Sequence, residues 1–283
     1  MGWFDRAWLP RLKRRWGALL ASTRRDRRWM SKLGMNDDQR PDPGDEGDQA
    51  DQRRSDDDVS AVRQVSTTSA GSAYLVHPDD GPGPGVLVLS SWRGLNDVTK
   101  SMADSLADAG FTALAPDLFG SVPVDDAAGQ ALLGEVDADG IAALVIASVV
   151  ALRSQCADPS APVGVVGFSS GGSLAMWVAT RNPDSIAAVV TYYGAQDIDF
   201  TSLNAPVLGH FAEFDDLCTV DDRVEMQSHL LLLDNMVEVF EYPGTWHFFA
   251  EDAELDTPAG EAAALAWGRT VAFLQRHLGL DDG

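Results

Sequence analysis

Val163-Gly164-Val165-Val166-Gly167-Phe168-Ser169-Ser170-Gly171-Gly172 reads as a buried strand that runs through a tight turn into a helix. The apolar run 163–167 is continuous, as expected of a strand covered on both faces. Gly167-Phe168-Ser169-Ser170-Gly171 then fits a G-x-S-x-G turn placed between strand and helix. Small residues flank the serine because the strand and helix backbones must approach closely there. The turn would lift the Ser169 hydroxyl above the sheet edge, and the next amide, Ser170 N–H, would point into the same space, where negative charge on a substrate oxygen could be held. A second reading is a Gly-rich turn that only packs, or that binds an anion at a helix N-terminus. Ser170 competes with Ser169 by proximity, but only Ser169 is central in the pattern.

The chain around this turn alternates between strand and helix signals. Segments 61–65 and 72–76 read as short strands, 86–90 as a doubly buried strand and 97–109 as an amphipathic helix ended by Gly110. Strands follow at 111–114, 187–191, 207–210 and 237–242, with helices at 140–152, 171–179, 222–233 and 259–278. This alternation implies a mostly parallel sheet covered by helices. Segment 120–135 is long and mixed, and is expected to be a lid over the site.

If the turn is that of an α/β-hydrolase, its acid and then its histidine lie later in the chain. Of the five histidines, His77 precedes the turn, His210 ends a strand, and His229 and His277 lie within helices. His247 alone falls in a loop between a strand and a helix, where an imidazole can be aimed back over the sheet. Asp215 comes first after the strand at 207–210, at the edge where the serine turn should lie. Asp216 and Asp221 read as surface charge, and Asp197 and Asp199 remain alternatives for the acid. The acid would hold the imidazole in its useful tautomer.

These motifs, taken in order, resemble the dienelactone hydrolase family of α/β-hydrolases over about residues 70–278. The marks are Val86-Leu87-Val88-Leu89-Ser90, Arg93-Gly94-Leu95-Asn96-Asp97, Ala115-Pro116-Asp117-Leu118-Phe119-Gly120, the 167–172 turn, Tyr192-Tyr193-Gly194, segment 210–215, and Tyr242-Pro243-Gly244 ahead of His247-Phe248-Phe249. The resemblance implies a three-layer α/β-hydrolase sandwich with a catalytic triad at Ser169, Asp215 and His247. It implies a second oxyanion donor at the backbone N–H of Trp92, and neither cofactor nor metal. Two departures accompany it. Where the family's best-known members carry a Cys nucleophile and a nearby Glu, this chain has Ser169 and Ser91. Where the family pattern has Arg, it has Ser121 and Glu251. The expected substrate is therefore a neutral ester or lactone, cleaved through an acyl-enzyme. A non-catalytic binding pocket on the same fold, or an acyltransferase using the same residues, are the rival readings.

Composition bounds these readings. Of 283 residues, 45% are hydrophobic and 23% charged, as in a globular protein. Residues 1–33 hold ten Lys or Arg against two Asp, a net +8, while the other 250 hold eleven against 41 acids, a net −30. An acidic body of this kind repels nucleic acid and anionic lipid. The arm 1–33 carries Phe4, Trp8, Leu12, Trp16 and Leu19 at helical spacing, broken by Pro10. It reads as a surface- or partner-binding helix, or as a leader ahead of a later start at Met30 or Met35. Residues 34–59 are almost devoid of apolar side chains and read as a disordered linker, which leaves 60–283 as the folded domain. Cys156 and Cys218 lack metal or redox spacing and read as small apolar fillers. No apolar run reaches the roughly 20 residues of a membrane span, and no signal-type apolar core is present, so a cytoplasmic location is expected.

The charge itself has two open readings: salt adaptation, or an acidic protein from a high-Arg, low-Lys organism. Lys100 is the only lysine after residue 33. Salt shortens the Debye length from about 10 Å at about 0.1 M to about 3 Å at about 1 M. Under salt adaptation, the melting midpoint in NaCl rises between about 0.1 and about 2 M; a flat or falling midpoint selects the second reading.

Overall fold

The computed structural model describes residues 64–68, 71–196, 198–252 and 257–280. The basic arm, the linker, residues 60–63 and Asp197 lie outside the described residues. Among those described, eight strands form one sheet in the order β1-β2-β4-β3-β5-β6-β7-β8. The strands are β1 Gln64–Thr68, β2 Gly71–Val76, β3 Gly85–Leu89, β4 Thr112–Pro116, β5 Val163–Phe168, β6 Ile186–Tyr192, β7 Val207–Phe214 and β8 Val237–Trp246. β1 and β2 pair antiparallel, β2 pairs antiparallel with β4, and the pairs from β4 through β8 are parallel. Six helices accompany them among the described residues: α1 Asp97–Asp108, α2 Asp126–Glu135, α3 Ala138–Arg153, α4 Ser170–Arg181, α5 Val220–Leu232 and α6 Pro258–Leu278.

The two faces of the sheet are covered by different helices. Gly164 of β5 faces Leu274 and Leu278 of α6, on the side where its register partner Val86 also lies. Gly85, one residue earlier on β3 and so on the opposite face, looks at Leu152 of α3 and at Cys156. Every residue of β3, β4 and β5 is buried, as is every residue of α4 from Ser170 to Thr180. This is the expected three-layer α/β sandwich, with its core on the central parallel strands. No described helix is long and apolar enough to cross a membrane.

Strand lengths differ from the sequence reading where pairing decides them. β7 runs to Phe214, four residues past the expected end, because β8 pairs with it as far as Phe214–Trp246. β8 likewise continues through Pro243 and Gly244. Proline has no N–H to donate, and an edge strand tolerates it; Gly244 N–H finds the Glu213 carboxylate at 2.7 Å. The expected lid segment contains α2, capped at its start by the Asp125 side chain on Ala128 N–H. Both cysteines are buried and neither forms a disulfide, and burial pushes the Cys156 thiol up to about 11, in keeping with the reading as fillers.

A polar rung crosses the α6 face. Tyr192, His210 and Phe240 are register partners on β6, β7 and β8. His210, fully buried, has Nδ1 2.8 Å from Tyr242 OH and Nε2 3.0 Å from Thr270 Oγ1. Thr270 Oγ1 also lies 2.7 Å from Tyr192 OH, and Arg269 donates to Tyr242 OH at 3.0 Å. A neutral imidazole satisfies this chain: Tyr242 donates to Nδ1, and Nε2–H donates to Thr270. Burial, and then the charge of Arg269, lower the His210 pKa from 6.5 to about 3. A histidine held neutral in the fold leaves stability intact above the unfolded pKa and erodes it as pH falls towards the folded one. Between about pH 7.5 and about pH 5, the loss from His210 should be about 2 kcal/mol. Denaturant melts of wild type and His210→Gln should show that much less acid sensitivity in the variant; equal pH slopes would remove His210 from the account.

Candidate active site

The site is assembled at the carboxyl edge of the parallel strands, where five loops converge. Ser169 directly follows β5 and is held at φ 52°, ψ −114°, a left-handed φ that costs energy for any non-glycine residue. Two anchors impose it. Ser169 N–H donates to Tyr192 O at 2.9 Å, tying the turn to β6. On the other side α4 presses on the neighbouring strands so closely that glycine is required: a Cβ on Gly171 would lie 2.1 Å from Leu89 O, and one on Gly167 would lie 2.1 Å from Gly171 O.

Ser169 Oγ lies 2.8 Å from His247 Nε2. His247 Nδ1 lies 2.8 and 2.7 Å from the two oxygens of Asp215. Asp215 directly follows β7, and its Oδ1 also accepts Leu217 N–H at 2.9 Å and Cys218 N–H at 2.8 Å, which fixes the carboxylate plane. The three side chains are almost wholly enclosed: Ser169 is 1% exposed, and the side chains of His247 and Asp215 are 8% and 3% exposed. The geometry thus brings together the three residues put forward from the sequence. Among the alternatives, Asp199 is exposed and accepts from Thr201 instead. Asp216 and Asp221 are exposed. Ser170 begins α4, and its hydroxyl is buried without a hydrogen-bond partner; the imidazole faces Ser169.

Rings define the walls. His247 meets Phe248 edge-on at 4.3 Å, Tyr193 at 4.8 Å and the Trp92 indole, near-parallel, at 6.4 Å between centroids. Trp92 is 1% exposed in the loop after β3, and its Nε1–H reaches Asp126 at 3.4 Å. Gly129 of α2 packs on it so closely that a Cβ would sit 2.6 Å from the indole. Helix α2, within the segment expected to be a lid, therefore packs on Trp92, whose indole stacks on His247.

Several participants escaped the sequence reading. Arg93 forks onto Asp126, at 2.9 and 3.1 Å, and onto Asp252, and lies 4.1 Å over the Phe248 ring. It joins the start of α2 to the turn after His247. Burial opposes its charge, but the bonds to Asp126 and Asp252 outweigh this and raise its pKa; the same bond lowers that of Asp126. Tyr193 and Phe248 adopt φ 39° and 68°, and no residue type at either position announces it. Glu251, the acid that stands where the family pattern has arginine, faces neighbouring side chains. Both its oxygens are taken, by Ser91 Oγ at 2.7 Å and Tyr193 OH at 2.9 Å. Among the described residues no three His, Cys, Asp or Glu side chains group to hold a metal ion.

The tightness of the turn has a measurable consequence. Gly171→Ala should cost at least about 3 kcal/mol or prevent folding, because the clash is with backbone that cannot move aside. Gly268→Ala, inside α6 with open space around it, should instead stabilise by up to about 1 kcal/mol. Equilibrium unfolding of the two variants makes the comparison.

Comparison with known proteins agrees with this architecture. The model of the dienelactone hydrolase family matches residues 72–278. The protein named usf from Aquifex pyrophilus is 33% identical over 215 residues, covering 72% of this chain and 93% of that one. A carboxymethylenebutenolidase from Rhodococcus opacus is 27% identical over 236 residues, covering 77% and 92%. The crystal structure of a dienelactone hydrolase from Anabaena variabilis superposes with a TM-score of 0.57 at 19% identity, over 77% of this chain and 99% of that one, a likeness of fold. The chain belongs to the dienelactone hydrolase family and is a hydrolase with the α/β-hydrolase fold.

Proposed function

We propose that this protein hydrolyses a neutral carboxylic ester or lactone through a Ser169 acyl-enzyme. The observation that carries the reading is the continuous line from Ser169 Oγ through His247 to Asp215, mounted on a strained turn at the sheet edge. His247 Nε2 takes the hydroxyl proton as Ser169 attacks the carbonyl carbon. Asp215 holds Nδ1–H and stabilises the imidazolium. The oxyanion is held by the backbone N–H of Ser170, at the start of α4, and that of Trp92, in the loop after β3. Imidazolium returns its proton to the leaving alkoxide. Water, deprotonated by His247, then releases the acid and restores Ser169.

A neutral substrate is favoured by the charges around the site. The Arg93 fork is occupied by Asp126 and Asp252, and Ser121 and Glu251 stand where the family pattern has arginine. A substrate carboxylate would meet the half-exposed Asp126 and Asp252 and a guanidinium that they already engage. The name of the Rhodococcus relative, a carboxymethylenebutenolidase, supports lactone cleavage as the chemistry while leaving this charge preference to the present chain.

A fluorophosphonate probe should label Ser169, and neutral esters should be turned over faster than matched anionic ones. Ser169→Ala should lower turnover about a million-fold, and Asp215→Asn about ten-thousand-fold, with Asp216→Asn near wild type. Loss of labelling in Ser170→Ala but not in Ser169→Ala would refute the assignment. An unlabelled but folded wild type would point to a binding pocket in place of an enzyme.

A further inference from the structure

Two departures from the family pattern, Ser91 and Glu251, lie 160 positions apart in the chain and touch in the fold. Ser91 Oγ donates to one Glu251 oxygen at 2.7 Å and accepts Arg93 N–H at 3.2 Å. Ser91 and Arg93 flank Trp92 on either side. The other Glu251 oxygen accepts the Tyr193 hydroxyl at 2.9 Å, and the Tyr193 ring lies 4.8 Å from that of His247. Glu251 N–H closes on Phe248 O at 2.8 Å, so the residue also ends the turn that begins at His247. One carboxyl group thereby connects the loop after β3, the loop after β6 and the loop after β8.

We propose that Glu251 is a positioning residue for the hydrolytic reaction: it clamps the Ser91–Arg93 loop and Tyr193 to the His247 turn. The clamp sets the Trp92 amide and the imidazole in fixed relation to Ser169. The inference rests on the acyl-enzyme reading above. Each Glu251 oxygen already accepts a neighbouring hydroxyl. Its action therefore passes through the groups it holds. Each donor it serves is a hydroxyl with a single proton, and Ser91 is fully buried while Tyr193 is 1% exposed. Loss of the acceptor leaves both donors unsatisfied, and a buried donor without a partner drives rearrangement of its loop. A displacement of about 1 Å at a catalytic group costs about a hundredfold in rate.

The electrostatic surroundings agree with a held carboxyl group. Burial raises the Glu251 pKa, opposed by the bonds from Ser91 and Tyr193 and by the charges of Arg93 and His247. Arg93 in turn bridges Asp252 and Asp126, so the clamp continues into α2. The Tyr193 phenol is pushed well above its usual pKa, by burial and by the neighbouring Glu251, and so remains a donor.

The test compares Glu251→Gln, Glu251→Ala, Ser91→Ala and the double Ser91→Ala/Glu251→Ala in the full chain, using a neutral ester and the fluorophosphonate probe. Glutamine keeps a carbonyl acceptor for one hydroxyl and an amide N–H for the other to accept. The expected result is a fall in kcat of about ten- to hundredfold for Glu251→Ala, with KM within about twofold, and a parallel fall in the rate of Ser169 labelling. Glu251→Gln, which keeps one acceptor, should recover part of the loss, and the double variant should be no slower than the slower single one. An alanine variant that melts earlier but keeps kcat, a glutamine variant as slow as alanine, or additive single effects would each overturn the proposal. Should Glu251→Ala not fold, Ser91→Ala decides: a lowered kcat supports the clamp, an unchanged one overturns it. Failure of wild type to label at Ser169 would bring down the acyl-enzyme reading and this inference with it, whereas normal wild-type labelling with indifferent variants sinks the clamp alone.

Discussion

The rest of the structure depends on the close approach of the first turn of α4 to the ends of β3 and β5. The space for a side chain on Gly171 is filled by the carbonyl oxygens of Leu89 and Ser90. Helix and sheet can meet this closely only through glycine, and the chain between them must turn so sharply that Ser169 is forced to a positive φ. The strain is balanced by burial: α4 is covered on every side, and β3 and β5 are fully enclosed. Large apolar burial, at about 25 cal/mol per Å², is what lets the fold hold one unfavourable backbone conformation at Ser169.

Around that point, two sets of buried polar groups close on themselves. The His210 chain and the Glu251 clamp follow the same rule: each buried donor meets an acceptor, and a neutral or singly charged group sits at the centre. The first set binds α6 to β6, β7 and β8 on one face of the sheet. The second binds the loops at its edge. They meet at Tyr192 and Tyr193. Tyr192 faces α6 and bonds to Thr270. Tyr193 N–H bonds to His210 O at 2.7 Å, and its hydroxyl reaches Glu251. One turn of backbone after β6 therefore joins the packing of the sheet to the geometry of the site. Tyr193, just past the end of β6, takes φ 39° there.

The charge of the protein is organised on two scales. Overall the body from residue 34 onward is strongly acidic, which disfavours anionic partners at long range. Locally, the cation nearest the site, Arg93, is spent on structure: its fork links α2 to the His247 turn, with its plane on Phe248. Pairing through a planar fork stacked on an aromatic ring suits arginine and not lysine. The same arrangement withdraws a positive charge that an anionic substrate could otherwise have used.

Much of this was legible in the sequence, for reasons of local physics. Continuous apolar runs marked β3 and β5, because a strand buried on both faces cannot alternate. The glycines flanking Ser169 marked the turn, since only they permit the approach. The order of serine, acid and histidine along the chain was implied by the α/β-hydrolase pattern to which the turn belongs, and His247 stood out by its loop position. What the sequence left open was decided by pairing across the sheet. The extension of β7 to Phe214 is a matter of its register with β8, and it is this that delivers Asp215 to His247 while Asp199 stays on the surface. The partnership of Ser91 and Glu251 was equally out of reach. Each residue alone looked like a lost function, an acid missing at one position and misplaced at the other. Spacing and periodicity report on neighbours within a few residues of each other; a hydrogen bond closed across 160 positions exists only once the sheet has brought its strand ends together.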